Sequence, residues 1–82
     1  MKTVVYYALF EEDKDGNIAV TFPDIFGGVT CGENEEDAFA MAADLLKMML
    51  KEAPAQCEPP ASYEKMRSLF PNKRIEKIEV EL

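Results

Sequence analysis

Histidine is absent from the 82 residues, and that absence removes more chemistry than any other feature of the composition. Without it there is no Ser/His or Cys/His nucleophile pair, and metal binding is left to carboxylates and thiols. Cysteine is nearly as scarce. Cys31 and Cys57 are two thiols with no secretory leader before them and no third or fourth ligand for structural zinc, so they are expected to be reduced and partly buried. No apolar run approaches the roughly 18 residues of a membrane span, and MKTVVYYALFEED turns acidic where a signal peptide needs a small-residue cleavage site. A cytoplasmic chain that does not engage membrane is the expectation. Repeats and low-complexity segments are missing too, and the length suits one domain, residues 1–82, with a thin reserve of burial.

Positive charge is the other shortage. Nine basic side chains face sixteen acidic ones, for a formal charge of −7. Residues 1–62 hold 4 basic and 12 acidic groups, while residues 63–82 hold 5 and 4. Such a surface repels phosphate backbones, so direct nucleic-acid binding by this chain is not expected, and a basic partner suits it better.

What is present reads as β-β-β-α-(α)-β. TVVYYALF, residues 3–10, is apolar on both alternating sets, as a central strand covered on two sides would be. EEDKDGN, residues 11–17, is hairpin chemistry, and IAVTF, residues 18–22, alternates as the returning strand. Pro23 stops that strand, Gly27 and Gly28 let the backbone turn, and VTC, residues 29–31, resumes as a third strand. Asn34 then caps a long helix that opens on Glu35, Glu36 and Asp37, buries apolar residues 38, 41, 42, 45, 46 and 49 at helical spacing, and stops before Pro54. Met48 falls on its outer side. Ser62 caps a short second helix ended by Pro71, and IEKIEVEL, residues 75–82, alternates as an edge strand with one wet face.

A meander followed by a right-handed helical crossover places the last strand parallel to the first, in a mixed four-stranded sheet of order 3-2-1-4 with the long helix on one face. Nothing remains in the sequence to cover the other face. Half-exposed tyrosines, or a second copy in a homo-oligomer, are the two expectations there.

Catalytic constellations do not emerge. EEDKDGN places Glu11, Asp13, Asp15 and Gly16 like the start of a calcium loop, but Phe22 stands where the twelfth-position Glu is required. Asp13 and Asp15 fall at one end of the second strand and Asp24 at the other, too far apart for a shared two-metal site. Cofactors and metals are therefore not expected, nor is enzymatic activity; a divergent metal-dependent nuclease is the lesser alternative.

The order and spacing of Phe22-Pro23-Asp24, Gly27, Thr30, Gly32, the Glu36/Ala38 helix start and Pro60-Ala61-Ser62 resemble the N-terminal domain of HicB-like antitoxins from bacterial toxin-antitoxin pairs. The resemblance spans essentially the whole chain. It implies a partial ribonuclease H-like fold lacking the nuclease carboxylates, and a partner: a small basic, mRNA-cleaving toxin of HicA type whose active face is masked. On that reading Asp24, Ile25 and Phe26 form a projecting partner-binding loop, and Glu35 and Glu36 add an acidic docking surface. Where the family has Leu-Pro-Gly-Cys, this chain has Ile25-Phe26-Gly27-Gly28. No C-terminal DNA-binding domain is expected after the last strand, and a stand-alone oligomeric binding module is the alternative function.

Overall fold

The computed structural model describes residues 1–82 as an α+β domain. Its elements are β1 (Thr3–Glu12), β2 (Ile18–Thr21), β3 (Val29–Gly32), α1 (Glu35–Glu52), a 3-10 turn (Pro54–Gln56), α2 (Tyr63–Leu69) and β4 (Arg74–Glu81). The sheet has the order β3-β2-β1-β4, with the aromatic first strand inside and β4 at an edge, as its pattern requires.

The β1–β2 turn is built by Asp13, whose Oδ1 accepts the N–H groups of Asp15 and Asn17 at 2.9 and 3.0 Å, with Gly16 at a positive φ of 86°. Asn34 caps α1 by accepting the Asp37 N–H at 2.8 Å, and Ser62 caps α2 by accepting that of Lys65. Tyr6, Ala8 and Phe10 of β1, Ile18 and Val20 of β2, and Ile78 and Val80 of β4 face Ala38, Ala42, Leu46 and Met49 of α1 across one core. Met41, expected on that face, lies at its flank and is exposed, as is Met48.

Gly32 ends β3 directly under the first turn of α1. A Cβ there would overlap the backbone N and Cα of Ala38, so no side chain fits.

One direction differs from expectation. β4 pairs with β1 antiparallel, Thr3 opposite Glu81 and Phe10 opposite Arg74, so the sheet is wholly antiparallel rather than mixed and the parallel crossover of a ribonuclease H-like arrangement is not formed. The cause is residues 53–73. α1 alone would deliver the chain to the start of β1, but the connection after it passes to the opposite face of the sheet. There α2 carries the chain back to the end where β1 finishes.

The passage is possible because β2 pairs with β1 only from Leu9 to Glu12, leaving the first half of β1 without a neighbour on that side. α2 also supplies cover that the sequence pattern did not reveal. Tyr63 packs edge-on to Tyr7, with ring centroids 5.8 Å apart, and Met66, one turn further on, is buried outside the main core. The cover is partial: Ala19, Thr21, Val29 and Cys31, the outward residues of the β2–β3 wing, stay exposed.

Candidate functional site

The stretch Phe22–Gly28 folds back on itself. Phe22 and Gly28 are joined by a 2.8 Å bond from the Phe22 N–H to the Gly28 carbonyl, and the Ile25 and Gly28 N–H groups donate to the carbonyls of Phe22 and Ile25, each at 3.0 Å. Gly27 supplies the turn with φ of 81°, a left-handed value that a residue with a Cβ rarely adopts. Gly28 is buried against Ile25, whose Cβ would lie 2.9 Å from any added Cβ. The two glycines thus make a tight loop rather than a loose one.

A second chain segment braces it. The Phe26 N–H donates to the Gln56 carbonyl at 2.9 Å and the Glu58 N–H to the Asp24 carbonyl at 2.8 Å, forming a short antiparallel bridge in which Ile25 opposes Cys57. Asp24 Oδ2 accepts the Ala61 N–H at 2.9 Å, and the Tyr6 hydroxyl reaches across from β1 to donate to the Glu58 carbonyl at 2.7 Å. Burial raises the Tyr6 phenol above its ordinary value, with Cys57, Asp24 and Glu58 pushing the same way. Burial likewise raises the Cys57 thiol.

The five residues expected to bind a partner therefore separate. Ile25 is a core residue, only 3% exposed, and its side chain cannot reach a partner; the projecting-loop expectation is corrected for it. Asp24 is half-buried and committed to the connection that passes beside β1. Phe26 alone projects, at 78% exposure. Glu35 and Glu36 open α1, whereas the loop sits against residues just past its other end. The 18-residue helix sets them roughly 25 Å apart, at about 1.5 Å per residue, so the structure does not bring the five together.

Glu35 has an internal partner as well. Arg74 donates from both terminal nitrogens to its carboxylate, one bond of 2.7 Å, and from Nε to Glu76, while its guanidinium stacks over the Phe10 ring at 5.2 Å. These bonds hold the Glu35 carboxyl below its usual range, with the Arg74 side-chain hydrogen bond the largest cause, and raise Arg74. Glu36 is exposed.

Sequence reasoning missed the segment that holds Phe26 in place and the acidic residues on it. Glu52, the last residue of α1, and Glu58, on the bracing segment, are both exposed and stand on either side in sequence of the Gln56 carbonyl that holds the Phe26 N–H. Only the structure could connect this segment with the loop, because Glu58 lies 32 positions beyond Phe26. Asp13 and Asp24 lie at opposite ends of β2, Asp13 within its own turn and Asp24 within the brace. Both cysteines are free, Cys31 exposed and Cys57 half-buried. Beside the unpaired half of β1 a groove of about 480 Å³ is lined by Val4, Val5, Tyr6, Leu50, Pro60 and Leu82, among others.

No protein-family model matches the chain, and no curated protein matches it significantly. No helix is long and apolar enough to cross a membrane.

Proposed function

We propose that this chain is a HicB-like antitoxin without enzymatic activity, acting in the cytoplasm to bind and mask a small basic, mRNA-cleaving toxin of HicA type. The observation that carries the reading is a single aromatic ring, Phe26, held out of a braced loop on a domain of formal charge −7. An exposed aromatic anchor on a backbone-braced loop of an acidic domain fits the centre of an interface with a basic protein. Glu52 and Glu58 take the acidic role at that end. Glu35 and Glu36, at the other end of α1, would contribute through the long-range field.

The test is co-expression with the small basic protein encoded beside the gene, followed by affinity measurement on the purified pair. Phe26→Ala should weaken the complex by at least tenfold, about 1.4 kcal/mol, while leaving the thermal midpoint of the free chain in place. Unchanged affinity would remove Phe26 from the interface, and a neighbour that neither poisons growth nor binds would remove the antitoxin reading.

A second reading, a stand-alone oligomeric module, draws on a different observation. The exposed residues Ala19, Thr21, Val29 and Cys31 carry no charge on an otherwise acidic domain. Val29 alone is 63% exposed. Under this reading the chain self-associates and ignores any toxin.

A further inference from the structure

The sheet has two outer edges of unequal use. β3 is four residues long, and its outer edge offers few free groups. β4 is eight residues long, pairs only with β1, and leaves its other side open from end to end.

Which backbone groups point outward follows from the register. Lys2 and Leu82 exchange both N–H···O=C bonds, at 3.2 and 2.8 Å, so the even-numbered residues of β4 bond to β1. Ile75, Lys77, Glu79 and Glu81 therefore present their N–H and C=O groups to solvent. An open edge of this length is a template for another strand unless its side chains forbid one.

The side chains do not forbid one; they select. Lys77 and Glu79 lie on the same face, Nζ and Oε1 3.6 Å apart, with each side chain more than half exposed. Antiparallel pairing of β4 with a second β4 requires a two-fold axis at one residue, and charge separates the choices. Centred on Lys77, the axis sets Lys77 against its own copy; centred on Glu79, it sets Glu79 against its own copy. Centred on Glu76, it leaves Glu79 beyond the partner strand's end. Centred on Ile78, it sets Lys77 opposite Glu79 of the second copy twice over, and Ile75 opposite Glu81. Every outward-facing residue then meets an outward-facing residue and the strand pairs over its full length, with the backbones of the two Ile78 residues at the axis and their side chains kept in their own cores.

We infer that β4 is a homodimer interface, in which two copies of this chain join edge to edge, antiparallel about Ile78, into one eight-stranded sheet whose register is fixed by reciprocal Lys77–Glu79 pairs. The partner is a second copy because the charge sequence is complementary to itself under that two-fold. The inference does not rest on toxin binding; it holds or fails on self-association alone.

The test uses the full chain, with molar mass read by sedimentation or light scattering across a concentration series. Wild type should run as a dimer. Lys77→Glu alone sets carboxylate against carboxylate at both pairs, and Glu79→Lys alone sets ammonium against ammonium; each should weaken dimerisation by about tenfold or more. Mixing the two single variants should restore a dimer. The carboxylate introduced at position 77 of one copy then faces the ammonium introduced at position 79 of the other, and the native Glu79 faces the native Lys77 at the second pair. The intrachain Lys77–Glu79 contact is broken in both singles, so recovery on mixing cannot come from it. Circular dichroism of each variant checks that the fold is kept. A monomeric wild type, or single variants that dimerise as wild type does, overturns the inference, as does a mixture that stays monomeric.

Discussion

Replacing Asp24 by alanine separates scaffold from docking surface more sharply than any other single change. The carboxylate accepts one N–H, from Ala61, at 2.9 Å, in a half-buried setting, and that bond helps hold the segment that crosses beside β1. A hydrogen bond to a charged acceptor contributes roughly 1.5–3 kcal/mol, and partial exposure argues for the lower end, so about 1–2 kcal/mol should be lost. A domain of this size has a total stability of roughly 4–12 kcal/mol and shifts its midpoint by about 4–8 °C per kcal/mol. Asp24→Ala should therefore melt roughly 5–15 °C below wild type in a circular-dichroism scan. Asp24→Asn keeps an acceptor oxygen and should lose less. Phe26→Ala, at an exposed position, should stay within about 0.5 kcal/mol of wild type. An Asp24→Ala midpoint equal to wild type would refute the bracing role and return Asp24 to the surface as a candidate contact.

Three further outcomes follow from the packing. Gly32→Ala should cost about 3 kcal/mol or more, seen as a lowered urea midpoint, because the added methyl meets helix backbone rather than a yielding side chain. Tyr6 has a raised folded pKa, so the native state holds that proton more tightly than the unfolded chain; its contribution is complete below the unfolded value of about 10 and is lost as pH rises through the folded value. Phenolate absorbance should show a late-ionising tyrosine that Tyr6→Phe removes. Maleimide labelling at neutral pH should modify exposed Cys31 well before Cys57, which is half-buried and whose thiol is raised; equal rates would mean that the brace opens freely.

The elements that could be read from the sequence are those with a period or a cap. β1 declared its inner place through two apolar faces, α1 through Asn34, its acidic first turn and its buried stripe, and β4 through Ile78 and Val80 against Glu79 and Glu81. The order 3-2-1-4 followed from the meander and the need to place β1 inside. The direction of β4 was not readable, because it depends on residues 53–73 crossing to the second face, and no local pattern encodes on which side of a sheet a connection passes. Ile25 was misplaced for a related reason. Between two strands a loop has no period, so nothing in Asp24-Ile25-Phe26 says which side chain turns inward; the answer lay in the Cys57 segment that pairs with it. The bond between Phe26 and Gln56 and that between Asp24 and Glu58 stayed hidden because they belong to that same long-range pairing.

The pairing of β1 with β4 has a kinetic side. It joins the first strand of the domain to its last, so the central aromatic strand cannot complete its ladder until the rest of the domain is available. Closing so long a loop is costly in entropy before any contact rewards it, which slows folding relative to a helical protein of the same size. During synthesis TVVYYALF emerges before the other elements of the domain and waits longest for its partner. A nascent strand of that composition, open on one edge, is a natural substrate for chaperones and the point at which an overexpressed chain would begin to aggregate.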